Sequence, residues 1–445
     1  MLRTCAWGLL CVLPLQALAV DPGYFRQPAL RGDTVVFTAE GDLWTVSASG
    51  GLARRLTTHP AEETQAVLSP DGREVAFVAA YDGATDVYRM PLSGGLPQRL
   101  SYLAGRVFLQ GYTPAGEILY SSDQALGPTN ARVLRAVDPA SGQTREWPLA
   151  DVADAALSAD GATLWFTQFG LALTGDNARQ YRGGAMARLF RIDAAASREA
   201  ERVAASLDAN LSQPLAWREG VIVTADIEGI ANLWSLDAAG APQALTRHQD
   251  FEVRGAALDG ERVIYQHGAD LRILDLSIGE DRRLDIRLVS DFEQRRARAV
   301  KKPLSFLQAL NVAGDGSRVA ISARGRVSLA APGPLRRVDV DAPGSQRLRS
   351  AVLAVDGKSL YALVDGEDSS SIRRYPVDGS GADETLLAGD GEYRWRLYPD
   401  PSGKRLAYDD KQGRLWLLDL KTRRSVEIDH SEHGRDDVYE SVVWS

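Results

Sequence analysis

The feature that most limits the fold is a single phrase that recurs along the chain. "AVLSPDGREVAFVAAYDGATDVYRMPLSGGLPQRLS" (Ala66–Ser101) shows it whole. An apolar strand meets a tight turn and a second apolar strand, and then a loop leads to a third strand carrying "LW" or "VY". A Gly-rich turn and a basic-apolar ending follow. Aligned on the turn glycine, the copies fall at Gly32, Gly72, Gly116, Gly161, Gly220, Gly260, Gly316, Gly357 and Gly403, most of them 40–46 residues apart. Asp-Gly at Asp71, Asp160, Asp259, Asp315 and Asp356 supplies the positive φ that a tight hairpin demands. The flanks "EVAFVA", "EILYSS", "TLWFTQ" and "RLAYDD" are β-branched and aromatic, as strands require. Four short strands every forty-odd residues predict an all-β chain of propeller blades, since one such sheet buries neither face alone and a ring of them buries both.

Two longer intervals divide the chain. Between Gly161 and Gly220 an insertion, Phe169–Phe190, enlarges the fourth unit. Between Gly260 and Gly316 a charged connector, Arg287–Phe306, lacks alternation and carries Pro303. The expected organisation is a signal peptide over 1–19, a six-bladed propeller over 20–286 and a linker over 287–304. Residues 305–445 then supply three blades and one strand of an incomplete second propeller, of the seven-bladed type. The tenth copy, "DDVYESVVWS", stops before its "PDG", and closing a seven-unit ring would take roughly 160–180 more residues. An open three-blade stack leaves an apolar sheet face in water, at about 25 cal/mol per Å2, so the second part is expected to be unstable by itself. "AAASREAERVAA" (Ala194–Ala205) is the best helical candidate, or else a loop insertion.

The first twenty residues are a different text. Arg3, an apolar run from Ala6 to Leu18 and the small residues of "ALA" describe a secretory signal cleaved after Ala19, with a lipoprotein reading through Cys11 as the alternative. Both cysteines, Cys5 and Cys11, lie inside it, so the mature chain is expected to use no disulfide, and its location to be periplasmic or secreted. The net charge of −8 argues against nucleic acid or an anionic membrane as partner, and no other stretch is apolar enough for membrane insertion.

Reactive constellations are sparse. No nucleophile elbow, zincin motif, P-loop or dinucleotide fingerprint occurs, and the sequence nominates no catalytic residue, metal site or cofactor. His59 and His248 hold equivalent places after fourth strands and read as turn residues, while His430 and His433 are too few for a metal site. Asp365, Glu367 and Asp368 lack the ligand alternation of a calcium loop. Trp44, Tyr88, Trp234 and Trp416 recur at one position and read as packing between blades. Three residues stand outside the repeat. Tyr181 and Arg182 belong to "QYRGG" in the fourth-blade insertion, and Arg106 opens the inner strand of blade three. There its guanidinium could hold a peptide carboxylate or serve in a salt bridge between blades.

"PGYFRQPALRGDTVVFTAEGDLWTV" (Pro22–Val46), "YRGG", "DIEGIANLWSLD" (Asp226–Asp237) and "VSDFEQRRARAV" (Val289–Val300) together resemble the N-terminal half of tricorn-type proteases. The resemblance implies a six-bladed and then a seven-bladed propeller ahead of a helical segment, a PDZ domain and an S41-like serine peptidase core. It also implies oligopeptides or unfolded polypeptide as partners and propellers that gate their passage. No position here matches the catalytic motif, and self-association would fall to the C-terminal part. A TolB-like exported propeller that binds envelope proteins or peptides is the alternative, because "SPDG" is common to both.

Overall fold

The computed structural model describes residues 23–123, 131–149, 151–171, 181–194, 199–291, 299–300, 302–332, 337–342, 345–366, 369–380, 382–431 and 442–444. The signal segment, His433, Glu367 and Asp368 therefore lie outside the described residues. The chain is all-β: a 3-10 turn spans Pro303–Phe306, and no helix among those residues is long and apolar enough to cross a membrane. It divides into two compact units, Met1–Phe169 with Ala187–Gln294, and Gly170–Met186 with Arg295–Ser445.

In the first unit the repeats become antiparallel sheets of four strands in chain order. The innermost strands are Arg26–Arg31, Glu63–Leu68, Val107–Tyr112, Asp154–Leu157, Leu211–Trp217 and Val253–Asp259, opening sheets 1 to 6. Each innermost strand packs beside that of the next sheet, and the one of sheet 6 packs back on that of sheet 1, a propeller-type arrangement. Second strands such as Thr34–Ala39 and Glu74–Ala79 are almost wholly buried because both faces of the sheet are covered. Phe37, Trp44, Phe77, Tyr120 and Tyr265 fill the space between sheets.

Most turn glycines do what the sequence reading asks: Gly32, Gly72, Gly116, Gly161, Gly260, Gly316, Gly357 and Gly403 all have positive φ. Gly220 differs. Its turn places Arg218 at φ 53 instead, and Gly220 is needed because a Cβ there would meet the Leu236 carbonyl oxygen at 2.2 Å. The stretch proposed as helical contains the outer strand Glu201–Arg202 of sheet 4, so among its described residues it is sheet edge. Both residues of this outer strand are exposed, so it shows no apolar alternation for a sequence reading to find.

Closure joins distant parts of the chain. Asp259, read as a turn residue, accepts from the Gly32 N–H at 2.8 Å and pairs with Arg31 at 3.2 Å and Arg262 at 3.1 Å. The expected connector also begins as structure: Ile286–Leu288 pairs in parallel with the outer strand Gly50–Arg55, giving sheet 1 a fifth strand. Ile286 is buried there with Phe37, Trp44 and Leu284.

Among the described residues the second unit contains three sheets, 7 to 9, whose innermost strands are Leu307–Val312, Arg347–Leu353 and Arg394–Pro399. Sheets 7 and 8 share a core around Leu329, Leu348 and Leu360, and sheets 8 and 9 another around Leu363, Leu406 and Tyr408.

Candidate functional site

The inner strands of the first unit carry a device absent from the alternation of apolar and polar residues. Nearly every one contains a β-bulge, and the bulged residues Gln27, Gln65 and Gln213 have φ of 49°, 54° and 50°. In sheets 1 to 5 an inner-strand side-chain oxygen, from a bulge glutamine or, in unbulged sheet 4, from Asp154, reaches the backbone of the next sheet. Gln27 accepts from Gln65 N–H at 3.1 Å, Gln65 from Leu109 at 2.8 Å, Gln110 from Ala155 at 2.9 Å and Asp154 from Gln213 at 3.0 Å. In sheet 6 the bulge residue is Gly255, φ +56, where a Cβ would meet Gln27 Cα at 3.2 Å. A belt of side-chain-to-backbone bonds thus fastens the inner strands to one another. The signal was present in "RQPAL", "TQAVL" and "SQPLA", but a bulge shifts the register and hides it from a period-two reading.

Beside this belt lies an arginine–aromatic cluster. Arg106 precedes the inner strand of sheet 3, and its Nε donates to Asp123 at 2.7 Å across the same sheet; the salt bridge is within blade three, not between blades. The Arg106 side chain stays 64% exposed and its guanidinium lies 5.8 Å from the Phe108 ring centroid. Arg132, buried, covers the same ring at 3.5 Å and lies 5.4 Å from Phe169. Burial pushes the Arg132 guanidinium's pKa down and those of the Asp154 and Asp151 carboxyls up. An exposed guanidinium backed by aromatic rings can bind a carboxylate or a peptide carbonyl, in competition with Asp123.

Tyr181 and Arg182 belong to the second unit, Arg106 to the first. Arg182 is exposed and donates to the Tyr181 carbonyl at 3.2 Å. A Cβ on Gly183 would meet the Tyr181 hydroxyl at 2.5 Å, so this glycine makes room for the ring.

The remaining candidates are absorbed by structure. Trp44, Tyr88 and Trp234 are buried in intersheet cores of the first unit, and Trp416 is partly buried against the core between sheets 8 and 9 of the second. The Asp365 carboxylate is held by Arg349 at 2.6 Å and by the Ser370 hydroxyl at 2.6 Å. His59 Nδ1 accepts from Ala61 N–H at 3.0 Å and its ring lies on Tyr81; His430 ends an exposed outer strand. His248 lies on the connection after the outer strand Pro242–Ala244, where the sequence reading put it, and its ring also has partners. Burial, with His267 beside it, pushes its pKa down, and its Nε2 lies 3.0 Å from the Tyr265 hydroxyl. In the second unit the inner strands line a concavity of about 480 Å3, with Leu310, Asn311, Ser350, Trp395 and Tyr398 on its wall.

The family described as "Tricorn protease N-terminal beta propeller domain" matches residues 22–280. Tricorn protease homolog 1 of Streptomyces coelicolor is 31% identical over 428 residues, 93% of this chain and 39% of the relative. The tricorn protease homolog of Saccharolobus solfataricus is 26% identical over 419 residues, 92% of this chain and 37% of that protein. The chain therefore spans less than two fifths of the length of these relatives. The crystal structure of the tricorn protease superposes with a TM-score of 0.57 at 19% identity, over 93% of this chain and 40% of that one, a likeness of fold.

Proposed function

The chain belongs to the tricorn protease family, and from that premise we propose that its residues form the non-catalytic propeller region of an exported tricorn-like serine peptidase acting on oligopeptides. The observation that carries this reading is the 31% identity that runs through 93% of the chain. The first unit is read as a closed ring of six blades and the second as three blades of a seven-bladed type. In this reading the belt of Gln27, Gln65, Gln110 and Gln213 keeps the inner strands from sliding, so the passage between them stays narrow while peptides move through it. Arg106 and Phe108 offer a guanidinium and a ring at the entrance to the inner strand of sheet 3, suited to the terminal carboxylate of a short peptide. Tyr181 and Arg182, in the insertion and within the second unit, are proposed to contact passing peptide there.

The test is a fluorogenic oligopeptide assay on the purified 445-residue chain. No turnover is expected, whereas a fluorescein-labelled hexapeptide should bind with an anisotropy change that Arg106→Ala weakens at least about tenfold. Turnover that co-purifies with the chain, or binding indifferent to Arg106→Ala, contradicts the reading. Export has its own readout. The chain recovered from a bacterial periplasm should begin at Val20, and retention in the cytoplasm with Met1 intact would refute it.

A further inference from the structure

The connection between sheets 5 and 6 and the second strand of sheet 6 bring together two imidazoles and a carboxylate. His248 and Asp250 lie on that connection, and His267 ends the strand Arg262–His267. One donor atom from each of the three lies within 4.8 Å of the other two. The rings of His248 and His267 stack at 3.9 Å with 28° between their planes, which sets their nitrogens side by side.

The backbone of His248 is pinned, and the His267 ring is packed on one side. The His248 backbone N–H donates to Asn232 Oδ1 at 2.8 Å, and Asn232 Nδ2 donates back to the His248 carbonyl at 3.0 Å. Phe251 meets the His267 ring edge-on at 6.0 Å. The two histidine side chains are 15% and 14% exposed, whereas Asp250 is 64% exposed, so the cluster has a rigid back and an open front. Two atoms now occupy the donor nitrogens: Asp250 Oδ1 at 2.9 Å from His267 Nε2, and the Tyr265 hydroxyl at 3.0 Å from His248 Nε2. Asp281 Oδ2 lies 3.7 Å from His248 Nε2, and Arg272 Nε donates to that carboxylate at 3.0 Å (Oδ1) and 3.1 Å (Oδ2). The Tyr265 hydroxyl can turn to that carboxylate when His248 is engaged elsewhere, so neither group is left unpaired.

We propose that His248, Asp250 and His267 bind one divalent transition-metal ion, with Zn2+ the best match to the donor set. Two neutral imidazoles and a carboxylate suit a borderline cation, and bonds of about 2.0–2.2 Å can form if the exposed Asp250 side chain swings inward. A water on the open side completes four ligands. The ion would clip the connection to sheet 6, replacing the direct contact between Asp250 Oδ1 and His267 Nε2. His59 supplies an internal control: it occupies the equivalent connection between sheets 1 and 2, but its ring rests on Tyr81, with no second histidine.

The experiment is titration of the chelator-treated 445-residue chain with Co2+, read by visible d–d absorption, followed by displacement with Zn2+. The proposal expects saturation at one equivalent and loss of the band on adding Zn2+. His248→Gln and His267→Gln should abolish it, and His59→Gln should leave it intact. Asp250→Asn, at an exposed position that should not disturb folding, should weaken uptake at least about tenfold. Absence of saturable uptake in the wild type overturns the proposal, as does uptake unchanged in Asp250→Asn and in a folded His267→Gln variant.

Discussion

Glu63 is a carboxylic acid held far from its ordinary behaviour. It opens the inner strand of sheet 2 with no exposed surface, and its N–H donates to the Gly41 carbonyl of sheet 1 at 2.9 Å. Its carboxyl accepts from the Tyr81 hydroxyl at 2.7 Å and the Thr57 hydroxyl at 3.0 Å. Burial, helped by nearby Asp42, outweighs those bonds and pushes its pKa up to about 7. The folded value lies above the unfolded one, so the neutral acid is the form the fold prefers. Its stabilising contribution is complete below about pH 4.5 and is lost as pH rises through about 7. Glu63→Gln keeps a neutral group at every pH. Denaturant unfolding from pH 4.5 to 8 should therefore show the wild type losing on the order of 2–3 kcal/mol relative to the variant. Parallel pH profiles would show that Glu63 stays ionised in the fold.

Elements are held by contacts of two kinds, and only one kind has a local signature. The Asp-Gly turns were legible because a hairpin needs positive φ and few residues supply it, as Gly72 and Gly161 show. The intersheet aromatics were legible because Trp44, Tyr88 and Trp234 recur at one position. The fifth strand of sheet 1 was not: Ile286–Leu288 pairs with residues more than two hundred positions away, and three residues of parallel strand look like linker. The metal candidate was hidden for the same reason, since His248 and His267 meet through sheet register and not through a motif spacing. Closure can be probed from both sides. Asp259→Ala removes the acceptor for Gly32 N–H and the partner of Arg31 and Arg262, and should cost about 2–3 kcal/mol by chemical denaturation. Ile286→Ala should cost about 2–4 kcal/mol. Leu52→Ala, on the adjacent strand but 65% exposed, should change stability by less than about 0.5 kcal/mol. Equal effects for Ile286 and Leu52 would mean that the fifth strand contributes no core.

At the scale of the whole molecule the two units differ in how their inner strands end. In the first, the cycle of packed inner strands returns from sheet 6 to sheet 1. In the second, the inner strand of sheet 7 presents Leu310 and Val312 at 57% and 63% exposure, and the outer strand of sheet 9 presents Val426 and Ile428. Apolar surface of that kind weakens a fold by about 25 cal/mol per Å2 left in water. Sheets that cover both faces of every neighbour should open only with global unfolding, whereas sheets with a bare face should open locally. Limited trypsin digestion with mass-spectrometric mapping tests this most directly, because "RRAR" in the connector and the arginines of sheets 7 to 9 give it many sites. The account predicts a resistant fragment running from near Gly23 to the connector, with residues 305–430 digested first. Equal protection of both regions, or early cutting inside sheets 1 to 6, would contradict the closed first ring on which the functional reading rests.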